Sequence, residues 1–188
     1  ESGLKSTSAN YNVFFGAYAG RNTTTGSKNI AIGANAMFNG TVTGDGNIAI
    51  GPVAGKVLTS GAHNILLGCW AGYSLETGQN NIILGCHAGC NSTGNENIII
   101  GKAAAQTGMT GNMNTVIGKS AAYSMSGDGG QNVFLGSEAG CTQTTTCWSV
   151  AIGQGARLPI TNGCRQLSIG CYSKSWIVGD CCFNVGIG

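Results

Sequence analysis

Aliphatic residues return along this chain in pairs separated by a single residue, at nearly constant spacing. A polar residue opens each pair and a glycine closes it, as in Asn29-Ile30-Ala31-Ile32-Gly33. The closing glycine recurs as Gly16, Gly33, Gly51, Gly68, Gly85, Gly101, Gly118, Gly136, Gly153, Gly170 and Gly188. That period of about 17 residues marks a stacked repeat array. The opening position reads Asn12, Asn29, Asn47, Asn64, Asn81, Asn97, Asn114 and Asn132, then Ser149, Gln166 and Asn184.

Two aliphatics one residue apart lie on the same face of a strand, and bounding glycines with β-branched enrichment favour strand over helix. The second aliphatic of each pair is therefore expected in the core: Ile32, Ile50, Leu67, Leu84, Ile100, Ile117, Leu135, Ile152 and Ile169. Three residues beyond the glycine stands a small residue, including Ala36, Ala54, Ala71 and Ala88, and Ser173 at the last copy. That regularity predicts a second short strand facing the first across a thin core. Pairs such as Thr25-Gly26, Thr43-Gly44 and Thr77-Gly78 supply turn chemistry between coils. The pattern predicts an all-β fold, a β-solenoid (β-roll) of about eleven 17-residue rungs with two short strands each. It forms one domain over 1–188, with 1–11 as a lead-in and repeats from 12 to 188.

Stacked rungs place equal positions about 4.8 Å apart, so the Asn column is expected to form a hydrogen-bonded ladder at a bend. The residue between the two aliphatics is expected to point outward. It stays apolar through Leu66, Ile83, Ile99, Val116 and Phe134, a longer stripe than monomers usually expose. We expect it to be an oligomer interface between side-by-side copies, with a wider loop folded over the stripe as the competing reading. The pattern runs on to Gly188, so the sheet edges are expected to be bare. Either the natural chain continues, or copies stack end to end. The start at Glu1, with no signal-peptide pattern, suggests a processed product or part of something longer.

Composition narrows the function classes. Charged residues are 9% of the chain, against roughly 25% in ordinary domains. Glycine takes 33 of 188 positions, yet 42% of residues are hydrophobic, which argues against disorder. The net charge is +2 with scattered cations, so nucleic-acid binding has no support, and no apolar run is long enough to span a membrane. His63 and His87 fall in different columns without acidic partners, and no nucleophile, paired-carboxylate or phosphate-loop motif stands out. Neither catalysis, nor a metal, nor a cofactor is expected. Sequons at Asn22, Asn39 and Asn91 mark exposed loops, and turn composition explains them better than glycan attachment.

All nine cysteines lie at or after Cys69. Cys69 and Cys86 share a column one rung apart. Cys147, Cys164 and Cys182 share another, two residues before the Asn position. Neighbouring rungs bring Cα atoms within disulfide range, so Cys69–Cys86 and one adjacent pair of the second column are feasible staples. Small buried filler is the competing reading. An odd count leaves at least one free or intermolecular thiol.

The units NVFFGAYAGRNTTTGSKN and NIILGCHAGCNSTG resemble the Asn-x-x-Ile-Gly-x-x-Ala-Gly repeats of phage tail-fibre-like and bacterial surface-fibre proteins. SVAIGQGA, residues 149 to 156, is similar to the head repeat of trimeric autotransporter adhesins. That resemblance implies a left-handed β-roll, three chains side by side, and display outside a cell, on a cell surface or on a virion. No functional residues carry over from it. The leading expectation is a structural fibre protein whose partner is itself. The alternative is an adhesin that reads a cell-surface glycan or receptor through loop aromatics such as Trp70, Tyr73 and Tyr123. Ice binding through Thr23/Thr25 and Thr41/Thr43 is a minor alternative, because Leu58 and Leu75 interrupt the rank.

Overall fold

The computed structural model describes the chain except residues 6, 173, 183 and 188, so the expectations at Ser173 and Gly188 lie outside the described residues. Twelve strands form one sheet in sequence order. They are β1 (Val13–Phe15), β2 (Ile30–Ile32), β3 (Ile48–Ile50), β4 (Ile65–Leu67), β5 (Ile82–Leu84), β6 (Ile98–Ile100), β7 (Thr115–Ile117), β8 (Val133–Leu135), β9 (Val150–Ile152), β10 (Leu167–Cys171), β11 (Lys174–Gly179) and β12 (Val185–Ile187). From β1 to β10 the pairing is parallel and follows the repeat: Val13 opposes Ile30, Ile30 opposes Ile48, and so on to Val150 and Leu167. The chain is thus an all-β solenoid of about nine turns.

Each coil has one strand, not the two that were expected. The return path is a series of turns, because backbone at positive φ recurs there and cannot extend a strand. Asn35, Val53, Trp70, His87 and Glu138 share one such column, with φ between 58° and 66°. Such strain costs roughly 1–3 kcal/mol per non-glycine residue, so neighbouring structure must hold it in place. Here the adjacent coil holds it: Asn35 N–H donates to Ala17 O at 2.9 Å and Val53 N–H to Ala34 O at 2.9 Å.

The asparagine side chains turn into the coil and are buried from Asn29 to Asn132. Asn81 Nδ2 donates to Gly94 O at 2.9 Å and to Asn64 Oδ1 at 3.0 Å, and its own Oδ1 accepts from Asn97 N–H at 2.9 Å. The same pattern links Asn12 through Asn132, and Ser149 and Gln166 extend it by one bond each. Carbonyls of the turn glycines receive these amides. A Cβ on Gly44 would lie 1.9 Å from Gly61 O, so glycine fills this column from Gly26 to Gly129, and Thr146 then takes its place as acceptor for Asn132.

An inward Asn decides the strand's facing. Side chains alternate along a strand, so the residue two positions later also points inward. The middle column is therefore the core, and the predicted interface residues Leu66, Ile83, Ile99, Val116 and Phe134 are all buried. Ile32, Leu67, Leu84, Ile100, Ile117, Ile152 and Ile169, predicted as core, lie on the outer face and are half-buried. Ile50 and Leu135 are more exposed still, at 38% and 42%. Ala36, Ala54, Ala71 and Ala88 do lie inside, fully buried.

Sizes in the core compensate across the coil. Phe14 and Phe134 face Gly20 and Gly140, where an added Cβ would come within 2.4 Å and 2.3 Å of the rings. Around the smaller Ala31 and Ala49, the buried Met37 supplies the bulk. Leu58, Leu75, Met109 and Met125 close the far side.

The eleventh rung does not form. After β10 the chain reverses, and β11 and β12 pair antiparallel. A Cβ on Gly170 would lie 2.4 Å from Lys174 O, so glycine permits the tight reversal. Asn184 consequently stays off the ladder. Its N–H and Nδ2 donate to Asp180 at 3.0 and 2.9 Å, closing the hairpin, and Cys182 is exposed beside it. The edge of β10 is therefore covered, and the outermost strands of the sheet are β1 and β12. At the other end the lead-in belongs to the rod: Gly3 and Lys5 N–H groups donate to Ala19 O and Arg21 O at 3.1 and 3.0 Å.

Replacing Asn81 with Ala leaves buried donors and acceptors unpaired, each worth about 1–3 kcal/mol. A loss of about 3 kcal/mol or more is expected in urea unfolding, against about 1 kcal/mol or less for Asn184→Ala; equal losses would contradict the buried ladder. Gly140→Ala is expected to cost about 1–3 kcal/mol by overpacking against Phe134. Adding Phe134→Leu should recover part of that loss, because Ala105 and Ala122 already hold the same positive-φ conformation (47° and 49°). Strictly additive losses would refute the steric coupling.

Candidate functional site

The outer face of the sheet carries two aliphatic ranks. One runs Val13, Ile30, Ile48 and onward to Leu167; the other runs Phe15, Ile32, Ile50 and onward to Ile169. Thr115 is the one polar residue in either rank across β1 to β10. Neither rank contains a charge. Exposure peaks at Phe15, 74%, at the β1 end.

A notch interrupts this face near the other end. Leu167 opposes Gly179, and Gly179 opposes Val185, so the first rank loses one side chain between two aliphatic neighbours. Trp148, Val150, Arg165 and Asp180 complete a cavity of about 480 Å³. The Arg165 guanidinium sits 5.3 Å from the Trp148 ring centre, a cation–π distance. Donors from Asn184, and then Cys182, hold the Asp180 carboxyl below its ordinary range.

Aromatic side chains gather elsewhere on the turns. Trp70 stacks on Tyr73 at 4.7 Å and on His87 at 5.7 Å, and the Lys56 ammonium lies 5.6 Å from the Tyr73 ring. Of the aromatics singled out from the sequence, Trp70 and Tyr73 therefore come together, and His87 joins them from the next coil. Tyr123 is exposed and takes no part in that stack. Thr23 is buried and Thr25 exposed, so the threonines of that turn do not share one outer face.

The second cysteine column has an identity that sequence reading missed. Its earlier members form an exposed polar ladder: Ser27 N–H donates to Asp45 Oδ1 at 2.7 Å, Gln79 N–H to Asn95 Oδ1 at 2.8 Å, and Asn95 N–H to Asn112 Oδ1 at 2.7 Å. Asp, Asn and Ser at that offset were the available signal. In the same column Cys147 and Cys164 form a disulfide with Cα atoms 4.6 Å apart. Cys69 and Cys86 are free thiols. Partial burial and then the adjacent Cys86 push the Cys69 thiol up, and burial does the same to Cys90. Of the sequon asparagines, Asn39 and Asn91 are exposed, whereas the Asn22 amide donates to Phe38 O at 2.7 Å.

Among the described residues no cluster of His, Cys, Asp and Glu could hold a metal ion, and no helix is long and apolar enough to cross a membrane. Comparisons with protein-family models, curated proteins and solved structures returned no match.

The disulfide closes a 17-residue loop, for which chain entropy gives about 3 kcal/mol. Cys147→Ser should lower the unfolding free energy by about that amount. Cys69 and Cys86 should take up a thiol reagent in the unfolded protein without prior reduction; labelling of Cys147 and Cys164 there would contradict the pairing.

Proposed function

We propose that the chain is a structural fibre protein, a stiff rod displayed outside a cell, on a cell surface or on a virion, and associated with copies of itself. The buried asparagine ladder carries this reading. It ties each coil to the next through side chain and backbone together, so bending the rod means breaking internal hydrogen bonds. Ten parallel strands at about 4.8 Å give a rod of roughly 43 Å. The repeat resemblance to tail-fibre and surface-fibre proteins supports the same reading.

The stacked Trp70–Tyr73–His87 group, half-buried on the turns, favours a second reading, an adhesin that reads glycans, because accessible aromatic faces pack against sugar rings. Two measurements separate the readings. Antibodies against the chain should label surface or virion fibres along their length in electron micrographs; labelling confined to the cell interior would refute the fibre reading. A glycan array should give no signal that Trp70→Ala abolishes; such a signal would favour the adhesin.

A further inference from the structure

We propose that the outer face of the sheet is the contact with a second copy of this chain, the two rods packed face to face and running in opposite directions. This pairing deepens the fibre reading by naming the partner surface, and it rests on that reading.

Area is the first reason. The two ranks are about 7 Å apart and about 43 Å long, giving an apolar footprint of roughly 300 Å². That already equals the largest patch found on many monomers, ~300–600 Å². With the columns flanking each rank, the contact widens to roughly 20 Å and reaches the ~800 Å² per partner of a stable interface.

Shape is the second. The strands pair without a register shift from β1 to β9. Each rank is therefore a regular row, and both copies carry the same row spacing. Packed sheets sit about 10 Å apart with their inner side chains interdigitated.

The ends settle the direction. A two-fold axis parallel to the strands sets each rank against its own copy, with the rods reversed. The β1 end of one rod then lies over the notch of the other. Tyr11, 85% exposed, precedes the same rank as Val13 and stands out at the β1 end. The notch at Gly179, walled by Trp148 and Arg165, is the complementary hollow. Symmetry makes this contact twice, giving an aromatic anchor at each end of the two charge-free ranks.

A lipid surface fits less well. Membrane-facing apolar surfaces carry dense cationic borders, whereas the columns beside the two ranks hold only Lys102 and Lys119 on one side, and Lys28 and Arg165 with Glu96 between them on the other.

The test is the solution mass of the purified chain at micromolar concentration by light scattering, beside an Ile82→Asp/Ile98→Asp variant. Both residues face outward, so the variant should keep the parent circular dichroism spectrum. The parent is expected at twice 19.0 kDa and the variant at 19.0 kDa. A monomeric parent, a trimeric parent or a dimeric variant would overturn the pairing; so would a monomer that floats with phosphatidylcholine vesicles, which would assign the face to lipid. Should the variant misfold, the parent alone decides: a photoreactive benzoylphenylalanine at position 11 must cross-link to residues 148–185 of another copy, and cross-linking elsewhere refutes the antiparallel arrangement. A dimer whose antibodies label no fibre would leave this interface standing and remove the fibre reading. A labelled fibre built from monomers would do the reverse.

Discussion

An asparagine amide buried in the wall of a coil must find donors and acceptors there, and in this chain it finds them one coil away. A carboxamide such as that of Asn47 spans the gap in both directions, accepting the next coil's backbone N–H, donating to that coil's turn glycine and donating back to the preceding Asn29 Oδ1. An unmet amide inside costs about 1–3 kcal/mol, which makes the coil spacing and the register hard to alter independently. The facing of every strand follows from that one side chain. With Asn inside, the next residue points out, the following one in, and the last one out.

Stacking at this distance sets the other demands. The strand-closing glycines have φ near +130°, and a Cβ on Gly68 would lie 2.6 Å from Gly85 O, so this column admits no side chain. Elsewhere on the return path, positive φ is tolerated by Trp, His, Glu and even Val because the neighbouring coil bonds the strained backbone. Interior volume is held constant by exchange across the coil: phenylalanine against glycine, alanine against methionine.

Much of this was legible in the sequence. The period, the strand positions, the asparagine ladder and the narrow alanine column all follow from residue spacing. Facing was not, because a pair such as Ile30 and Ile32 flanking Ala31 looks like a core pair whichever way the strand is turned. The deciding observation was already in the same line, since an inward Asn29 and an inward Ile32 are incompatible with alternation. Variation in the middle column, from alanine to phenylalanine, was a second signal once paired with Gly20, Met37 and Gly140. The reversal after β10 was hidden because Asn184-Val185-Gly186-Ile187 repeats the motif while its partners differ: Asp180 takes the Asn184 amide that a coil would otherwise have bound. The stacked Trp70–His87 pair was missed because its members lie a full repeat apart.

The disulfide between Cys147 and Cys164 also changes how load would travel along the rod. A chain drawn out from its C-terminal end gains about 3.4 Å of length per residue as coils peel away. On reaching Cys164 the tension crosses directly to Cys147, and the 17-residue loop between them carries none of it. Roughly 58 Å of chain is thus withheld from extension. The bond acts as a rip-stop, placed where the outer polar ladder gives way to a covalent link and just before the chain leaves the coil.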